Sequence, residues 1–221
     1  MTEIYLVRHC EADGNIRRIF HGITDTLPTA DGRRQLDFLA ERFKDVKLDA
    51  VYASPLQRTR ATADAVNRYH GLPVQVDQRL IEINGGEIEG MDWEKIYAEY
   101  PELCRQWLQA LHTFATKQGD SMQSVYDRAR TTLQDLAAQN PGKTLALATH
   151  GGFIKNALCW ARYGDITRLM EVPWPENTSV SLLELDEKGN CTIRYADDAS
   201  HLPEELLSFR KNIWSKEELN R

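Results

Sequence analysis

Short apolar runs alternate along this chain with longer stretches whose apolar residues recur every three or four positions. Residues 3 to 7, EIYLV, predict a buried strand near the start. After a polar loop, TADGRRQLDFLAERFKD predicts a helix from about Thr29, with Leu36, Leu39, Ala40 and Phe43 on one face. A second short strand, LDAVYAS, leads into SPLQRTRATADAVNRYH. There Ser54 followed by Pro55 predicts an N-cap with proline at the first helical position, and Ala61, Ala65, Val66 and Tyr69 are the expected inward positions. PVQVD predicts a further short strand reaching toward Leu80. From about residue 84 to 140 the character changes. WEKIYAEY, PELCRQWLQALHTFA and SVYDRARTTLQDLAAQ all have helical spacing, with no strand pattern among them. Strand spacing resumes at KTLALATH, and after two glycines FIKNALCWARY predicts a helix. SVSLLELDEKGNCTIRYA predicts a hairpin turning at Lys188-Gly189-Asn190, and the tail PEELLSFRKNIW a helix.

Strands alternating with helices predict a single α/β domain spanning residues 1 to 221, with three layers, a mostly parallel central sheet and helices on both faces. The 84 to 140 stretch is then a helical insertion above one edge. Composition changes this picture little: 42% of residues are apolar and 27% charged, and the formal net charge is −6. With no long basic run, long-range attraction to nucleic acid or anionic membrane is not supported, although a small basic pocket can still collect a small anion. Cys10, Cys104, Cys159 and Cys191 are scattered without a CxxC pair, which suits reduced thiols rather than a disulfide framework or a zinc site. MTEIYLVRHC lacks the regions of a signal peptide, and no apolar run approaches the roughly 20 residues that span a bilayer. A soluble, cytoplasmic protein is expected.

Ligands of open α/β sheets bind beyond the carboxyl ends of the strands, and three strand-to-loop junctions here carry chemistry. The first ends in Arg8-His9. The second ends in Ser54, with Arg58 in the first turn of the helix that follows. The third ends in His150, followed by Gly151-Gly152 and a helix. If these strands are neighbours, two arginines and two histidines converge. Such a pocket suits a phosphoryl group: guanidinium forks grip its oxygens, and helix N-termini supply N–H groups and a favourable dipole. The small glycine pair lets backbone approach closely. An imidazole can attack phosphorus and carry the group covalently, with the second imidazole stabilising charge and no metal required. Expelling an alkoxide also needs an acid. Glu82, Glu87 and Glu89 are the candidates, with Glu82 nearest the pocket edge and the other two on a solvated loop.

These residues resemble the signatures of the histidine phosphatase superfamily, which includes the cofactor-dependent phosphoglycerate mutases. LVRHCEADGN resembles its LVRHGET-x-x-N, GITDTLPTADG its G-x-x-D-x-x-LT-x-x-G, and SPLQRTRATA its S-x-L-x-R-x-x-x-TA. LIEINGGEIEG, GDSMQSVYDR and LALATHGG follow in the family's order, so the resemblance spans roughly residues 4 to 185. It implies that His9 is the nucleophile, that Arg8, Arg58 and His150 bind the phosphoryl group, and that Asn15 and the Gly151 backbone assist. It further implies that Glu82 is general acid and then base, and that the His21-Gly22 loop lies beside the rest of the substrate, with the helical insertion over the site. No metal or other cofactor is implied. Two positions depart from the family pattern. Cys10 replaces the usual glycine after the nucleophile, where a small buried thiol needs no redox role, and Ala12 replaces a frequent hydroxyl residue.

Phosphatase and mutase share the first half-reaction. From Glu82 to His150 is 68 residues (150 − 82), short beside the mutase insertion, and the segment after Glu82 is acidic and lacks the arginine-bearing motif found there. Hydrolysis of a small phosphomonoester is therefore the favoured reading, with phosphoglycerate mutase as the enzymatic alternative. An inactive phosphate-binding module is a third reading. A metallohydrolase on His9, His150 and Glu82 is weaker, since two arginines would repel a divalent cation. Trp93, Trp107, Trp160 and Trp174 are expected in packing, with Trp93 also able to line the pocket mouth. The sequence names neither the physiological ester nor the oligomeric state, although a dimer is compatible with it.

Overall fold

The computed structural model describes residues 1–208. Its centre is a six-stranded sheet of β1 (Thr2–Arg8), β2 (Ala50–Ala53), β3 (Val74–Val76), β4 (Thr144–Thr149), β5 (Val180–Leu185) and β6 (Cys191–Asp198), in the order β3-β2-β4-β1-β5-β6. The first four strands run parallel, while β5 pairs antiparallel with both β1 and β6. The helices are α1 (Asp13–Ile16), α2 (Ala30–Phe43), α3 (Gln57–Val66), α4 (Trp93–Glu99), α5 (Pro101–Gln109), α6 (Met122–Gln139) and α7 (Gly151–Tyr163).

The two-residue period of the strands divides the core into two layers. Ile4 and Leu6 of β1 and Leu145 and Leu147 of β4 pack with α6 and α7 on one face. Val7, Ala146, Ala148, Val51 and Ala53 meet Leu36, Leu39 and Phe43 of α2 and Ala63 and Val66 of α3 on the other. Small alanines on that face let α3 approach β4 closely. Thr29 caps α2 as expected, its hydroxyl accepting the Gly32 N–H at 2.9 Å. The hairpin turns where expected, with Gly189 at φ +78°.

Four details differ from the sequence expectations. The helix after β2 does not begin at Ser54-Pro55: α3 starts at Gln57, capped by Leu56, because the Ser54 hydroxyl is bonded to His150 instead. Asp25, from the β1–α2 connection, takes the Gln57 N–H at 2.8 Å in place of a Ser54 cap. Tyr69 lies beyond the end of α3 and is 47% exposed rather than inward. Of the helix-rich stretch, α6 packs along α7 and β1 as part of a layer, so that α4, α5 and the turns around them are what lies over the strand ends. The tail reads as a short 3₁₀ turn over Glu204–Leu206, and the rest of the expected helix falls outside the described residues. Among the described residues no helix is long and apolar enough to cross a membrane, and the four cysteines are unpaired.

Candidate active site

The strand order brings the three junctions together. β4 lies between β1 and β2, with Arg8 opposite Thr149 and Ala53 opposite Ala148, so Arg8-His9, Ser54 and His150 emerge side by side. His9 is anchored through its backbone: its N–H donates to the Thr149 carbonyl at 2.9 Å, and its carbonyl accepts from Asn177 Nδ2 at 2.8 Å. Its Nδ1 lies 2.7 Å from the Cys10 carbonyl. A carbonyl only accepts, so Nδ1 carries the ring proton and Nε2 holds the free electron pair. The His9 ring lies 5.3 Å from that of His150 and 6.0 Å, edge-on, from that of His21. His150 Nε2 shares a 2.7 Å hydrogen bond with Ser54 Oγ.

Arg58 is fully buried and directs both terminal nitrogens at the loop before it. Nη1 donates to the Thr24 carbonyl at 2.9 Å, and Nη2 to the His21 and Gly22 carbonyls at 2.9 and 2.8 Å. Its fork therefore holds the His21–Thr24 loop rather than pointing wholly at a ligand, and Nε is left over. Arg8 donates Nη1 to the Pro175 carbonyl at 2.5 Å, again leaving Nε. Three buried nitrogens here, Arg8 Nε, Arg58 Nε and His150 Nδ1, have no hydrogen-bond partner. Buried donors are rarely left this way unless a ligand or water completes them.

Glu82 sits across from these groups on the connection after β3. Its Oε1 accepts the Ile83 N–H at 2.9 Å and its Oε2 the Gly152 N–H at 2.8 Å. A Cβ on Gly152 would lie 2.4 Å from Oε1, so only glycine admits the carboxylate this close. A Cβ on Gly22 would lie 1.8 Å from the Ile83 carbonyl oxygen, which brings the His21-Gly22 loop against the Glu82 connection. Arg128 of α6 clamps that connection, donating to the Arg79 carbonyl at 3.1 Å and to the Ile81 carbonyl. Asp120 joins it, accepting from Asn84 N–H at 3.0 Å and from Arg128 Nη2 at 3.3 Å. Glu87 and Glu89 do not lie on a solvated loop, as expected from the sequence. Glu89 accepts from the Thr24 N–H and hydroxyl at 2.8 Å each and from Gly85 N–H at 2.7 Å, and Glu87 accepts from Lys117 and Gln118 N–H.

Burial, and then the nearby Arg58 and Arg8 guanidiniums, hold the imidazoles of His9 and His21 well below the usual histidine range. His150 is pushed the same way by burial, then by Arg58 and His21. All three are neutral at pH 7, which leaves His9 Nε2 unprotonated. Burial also lowers Arg58 to about 10, although Glu82 opposes that shift, and raises the Cys10 thiol to about 12.

Around these groups is a cavity of about 110 Å³, lined by Arg8, His9, Asn15, His21, Gly22, Glu82 and Gly151 on one side. Asn15 presents its side chain there while its Oδ1 accepts the Ala12 N–H at 3.0 Å. The other side was anticipated only in Trp93. Trp107 and Trp174, expected in packing, line the cavity with Trp93 and Phe20. Among the described residues no group of three His, Cys, Asp or Glu side chains is placed to hold a metal ion.

Known proteins are similar to this chain in sequence and in fold. Phosphoserine phosphatase 1 of Hydrogenobacter thermophilus is 28% identical over 213 residues, covering 96% of this chain and all of that protein. Phosphoglycerate mutase-like protein 4 of Arabidopsis thaliana is 32% identical, over 92% of this chain and 88% of its own length. The solved structure of Bacillus stearothermophilus YhfR superposes with a TM-score of 0.86 at 30% identity, covering 91% of this chain and 99% of that one. The model of the histidine phosphatase superfamily (branch 1) matches residues 4–198, and the chain belongs to that family.

Proposed function

We propose that this protein is a phosphoric monoester hydrolase that works through a phosphohistidine on His9. The observation that carries the reading is the set of three buried, unpartnered nitrogens, Arg8 Nε, Arg58 Nε and His150 Nδ1, grouped around a neutral imidazole whose Nε2 is free. A phosphoryl group with negative oxygens supplies the missing acceptors. In the first step His9 Nε2 attacks phosphorus, the P–O bond to the alcohol breaks, and protonated Glu82 gives its proton to the departing oxygen. In the second, the Glu82 carboxylate takes a proton from water as that water attacks phosphorus. The P–N bond breaks, inorganic phosphate leaves, and His9 and the Glu82 carboxyl return to their starting states. Arg8, Arg58 and His150 hold the phosphoryl oxygens, with Asn15 and Gly151 beside them and the His21-Gly22 loop next to the alcohol. Relatives whose names give phosphoserine phosphatase and glucosyl-3-phosphoglycerate phosphatase support hydrolysis of a small phosphorylated metabolite. Among the described residues that line the cavity, Arg8 is the single arginine or lysine, which favours hydrolysis over a mutase that must also grip a sugar-acid carboxylate.

The test is phosphate release from a panel of monoesters in EDTA, by the wild type and His9→Ala, with trapping of acid-labile phosphoprotein. Release that survives EDTA and falls by about 10³-fold or more in His9→Ala is expected. A phosphoprotein that forms without releasing phosphate would favour the mutase, and neither release nor phosphoprotein would leave a binding module.

A further inference from the structure

The wall of the cavity that faces away from His9 is made of aromatic rings from three separate parts of the chain. Phe20 comes from the β1–α2 connection, Trp93 and Trp107 from α4 and α5, and Trp174 from the segment leading into β5. Trp107 is their hub, with ring centroids 5.2 Å from Trp93, 5.5 Å from Phe20 and 5.3 Å from Trp174. The Trp107–Trp174 pair is stacked, with planes 20° apart, whereas Trp93 and Phe20 meet Trp107 tilted or edge-on. Lys155 holds Trp174 from a third direction, its ammonium 5.2 Å from the ring centroid and bonded to the Val172 carbonyl. Phe20 and Trp93 are almost wholly buried, at 4% and 5% exposure, while Trp107 and Trp174 keep part of their surface open. Rings fixed by one another lose little freedom when a ligand arrives.

Among the described residues lining this wall there is no cation for a carboxylate and no carboxylate for an ammonium; Lys155, which touches Trp174, does not line the cavity and its ammonium is bonded to the Val172 carbonyl. Arg8 stands on the phosphoryl side with its Nη1 taken by Pro175, and Glu82 sits beside Gly152. A charged alcohol seated here would lose its hydration without gaining a partner. We propose that Trp107 and Trp174 form the subsite for the leaving alcohol. They select a phosphomonoester whose alcohol is uncharged and has a flat apolar face, either an aryl ring or the C–H face of a pyranose. The substrate class thus differs from the one named for the phosphoserine phosphatase relatives. The inference rests on the phosphatase reading above.

It is tested by comparing kcat/KM for 1-naphthyl phosphate, a hexopyranose 1-phosphate, O-phosphoserine and 3-phosphoglycerate in the wild type, Trp107→Leu, Trp174→Leu and Trp107→Phe. The wild type should favour one of the neutral esters over O-phosphoserine by about 10²-fold. Each leucine variant should reduce that ratio by about tenfold or more, and Trp107→Phe, which keeps a flat ring, should restore most of it. The neutral ester that wins identifies the aryl or the sugar source. Should the leucine variants fail to fold, the wild-type ranking and the Trp107→Phe ratio still decide. A wild type that prefers O-phosphoserine or 3-phosphoglycerate overturns the inference and leaves the phosphatase standing, as does a ratio that survives both leucine variants. Absence of turnover on all four esters, with no phosphohistidine, removes the phosphatase reading itself.

Discussion

Gly152→Ala separates the role of Glu82 from the stability of the fold. The new Cβ would stand 2.4 Å from Glu82 Oε1, where ordinary contact begins at 3.4 Å, so the carboxylate must retreat by about 1 Å (3.4 − 2.4). The same retreat breaks the 2.8 Å bond from the Gly152 N–H to Oε2. Gly152 sits in the first turn of α7 at an ordinary φ, where alanine favours the helix over glycine by about 0.5–1 kcal/mol. That gain is offset by the broken hydrogen bond, itself worth about 0.5–1.5 kcal/mol, so the melting temperature should roughly hold. Catalysis should not, because a 1 Å misplacement of a reacting group costs about 10²-fold, or about 2.7 kcal/mol of barrier. The loss should depend on the leaving group. An alkoxide needs the proton of Glu82, whereas nitrophenolate leaves without one. Because Glu82 is also the base of the shared second step, the comparison is made on kcat/KM, which reports phosphoenzyme formation alone: it should fall about 10²-fold on an alkyl phosphate and only a few-fold on p-nitrophenyl phosphate. Equal losses on both esters, or none on the alkyl ester, would refute the assignment of Glu82 as the acid.

Three further outcomes follow from the charges and contacts of the site. Burial holds His9, His21 and His150 well below 6.5 and brings His201 down to about 4, so below pH 6.5 the unfolded chain takes up protons that the native one refuses. Stability is complete above pH 6.5 and is lost as pH falls toward the native values, at up to about 1.4 kcal/mol per pH unit for each histidine; urea midpoints unchanged between pH 7.5 and 5 would contradict this. Arg58→Lys keeps the charge but replaces a fork holding three carbonyls with an ammonium that reaches one, and should destabilise by about 3 kcal/mol in denaturant unfolding. A change under 1 kcal/mol would show that the fork does not hold the loop. The Cys10 thiol, fully buried and raised to about 12, should resist thiol reagents in the native protein and react only as fast as the chain unfolds. Rapid native labelling at that residue would revive a redox role.

The half of the site proposed to take the phosphoryl group was legible because it is written in local sequence. Arg8-His9 and His150 each end an apolar run, and a parallel sheet aligns the ends of its strands, so strand order alone brings them together. Arg58 was found by the same logic, but its second task, holding a loop, was not: the carbonyls of His21, Gly22 and Thr24 are brought to it by a segment whose path no periodicity encodes. Ser54 was read as a helix cap because Ser-Pro is a common start, yet its hydroxyl reaches across to a residue 96 positions away. Arg128 lay in plain view at the end of GDSMQSVYDR without a role, since apart from Asp120 its partners are backbone carbonyls, which leave no mark on sequence. Trp107 and Trp174 were lost for a different reason. An aromatic residue, on a helix like Trp107 or on a connection like Trp174, looks the same in sequence whether it faces a core or a cavity.

The segment from Trp174 to Asn177 touches both halves of the pocket at once. Trp174 lines the wall, the Pro175 carbonyl holds the Arg8 guanidinium, and the Asn177 amide holds the His9 carbonyl. Recognition and reactivity therefore share a lever arm one turn of chain long. A substrate trimmed of the part that leans on Trp174 would bind more weakly and would also leave the nucleophile and its neighbouring cation less firmly braced, so the penalty would register in turnover as well as in affinity.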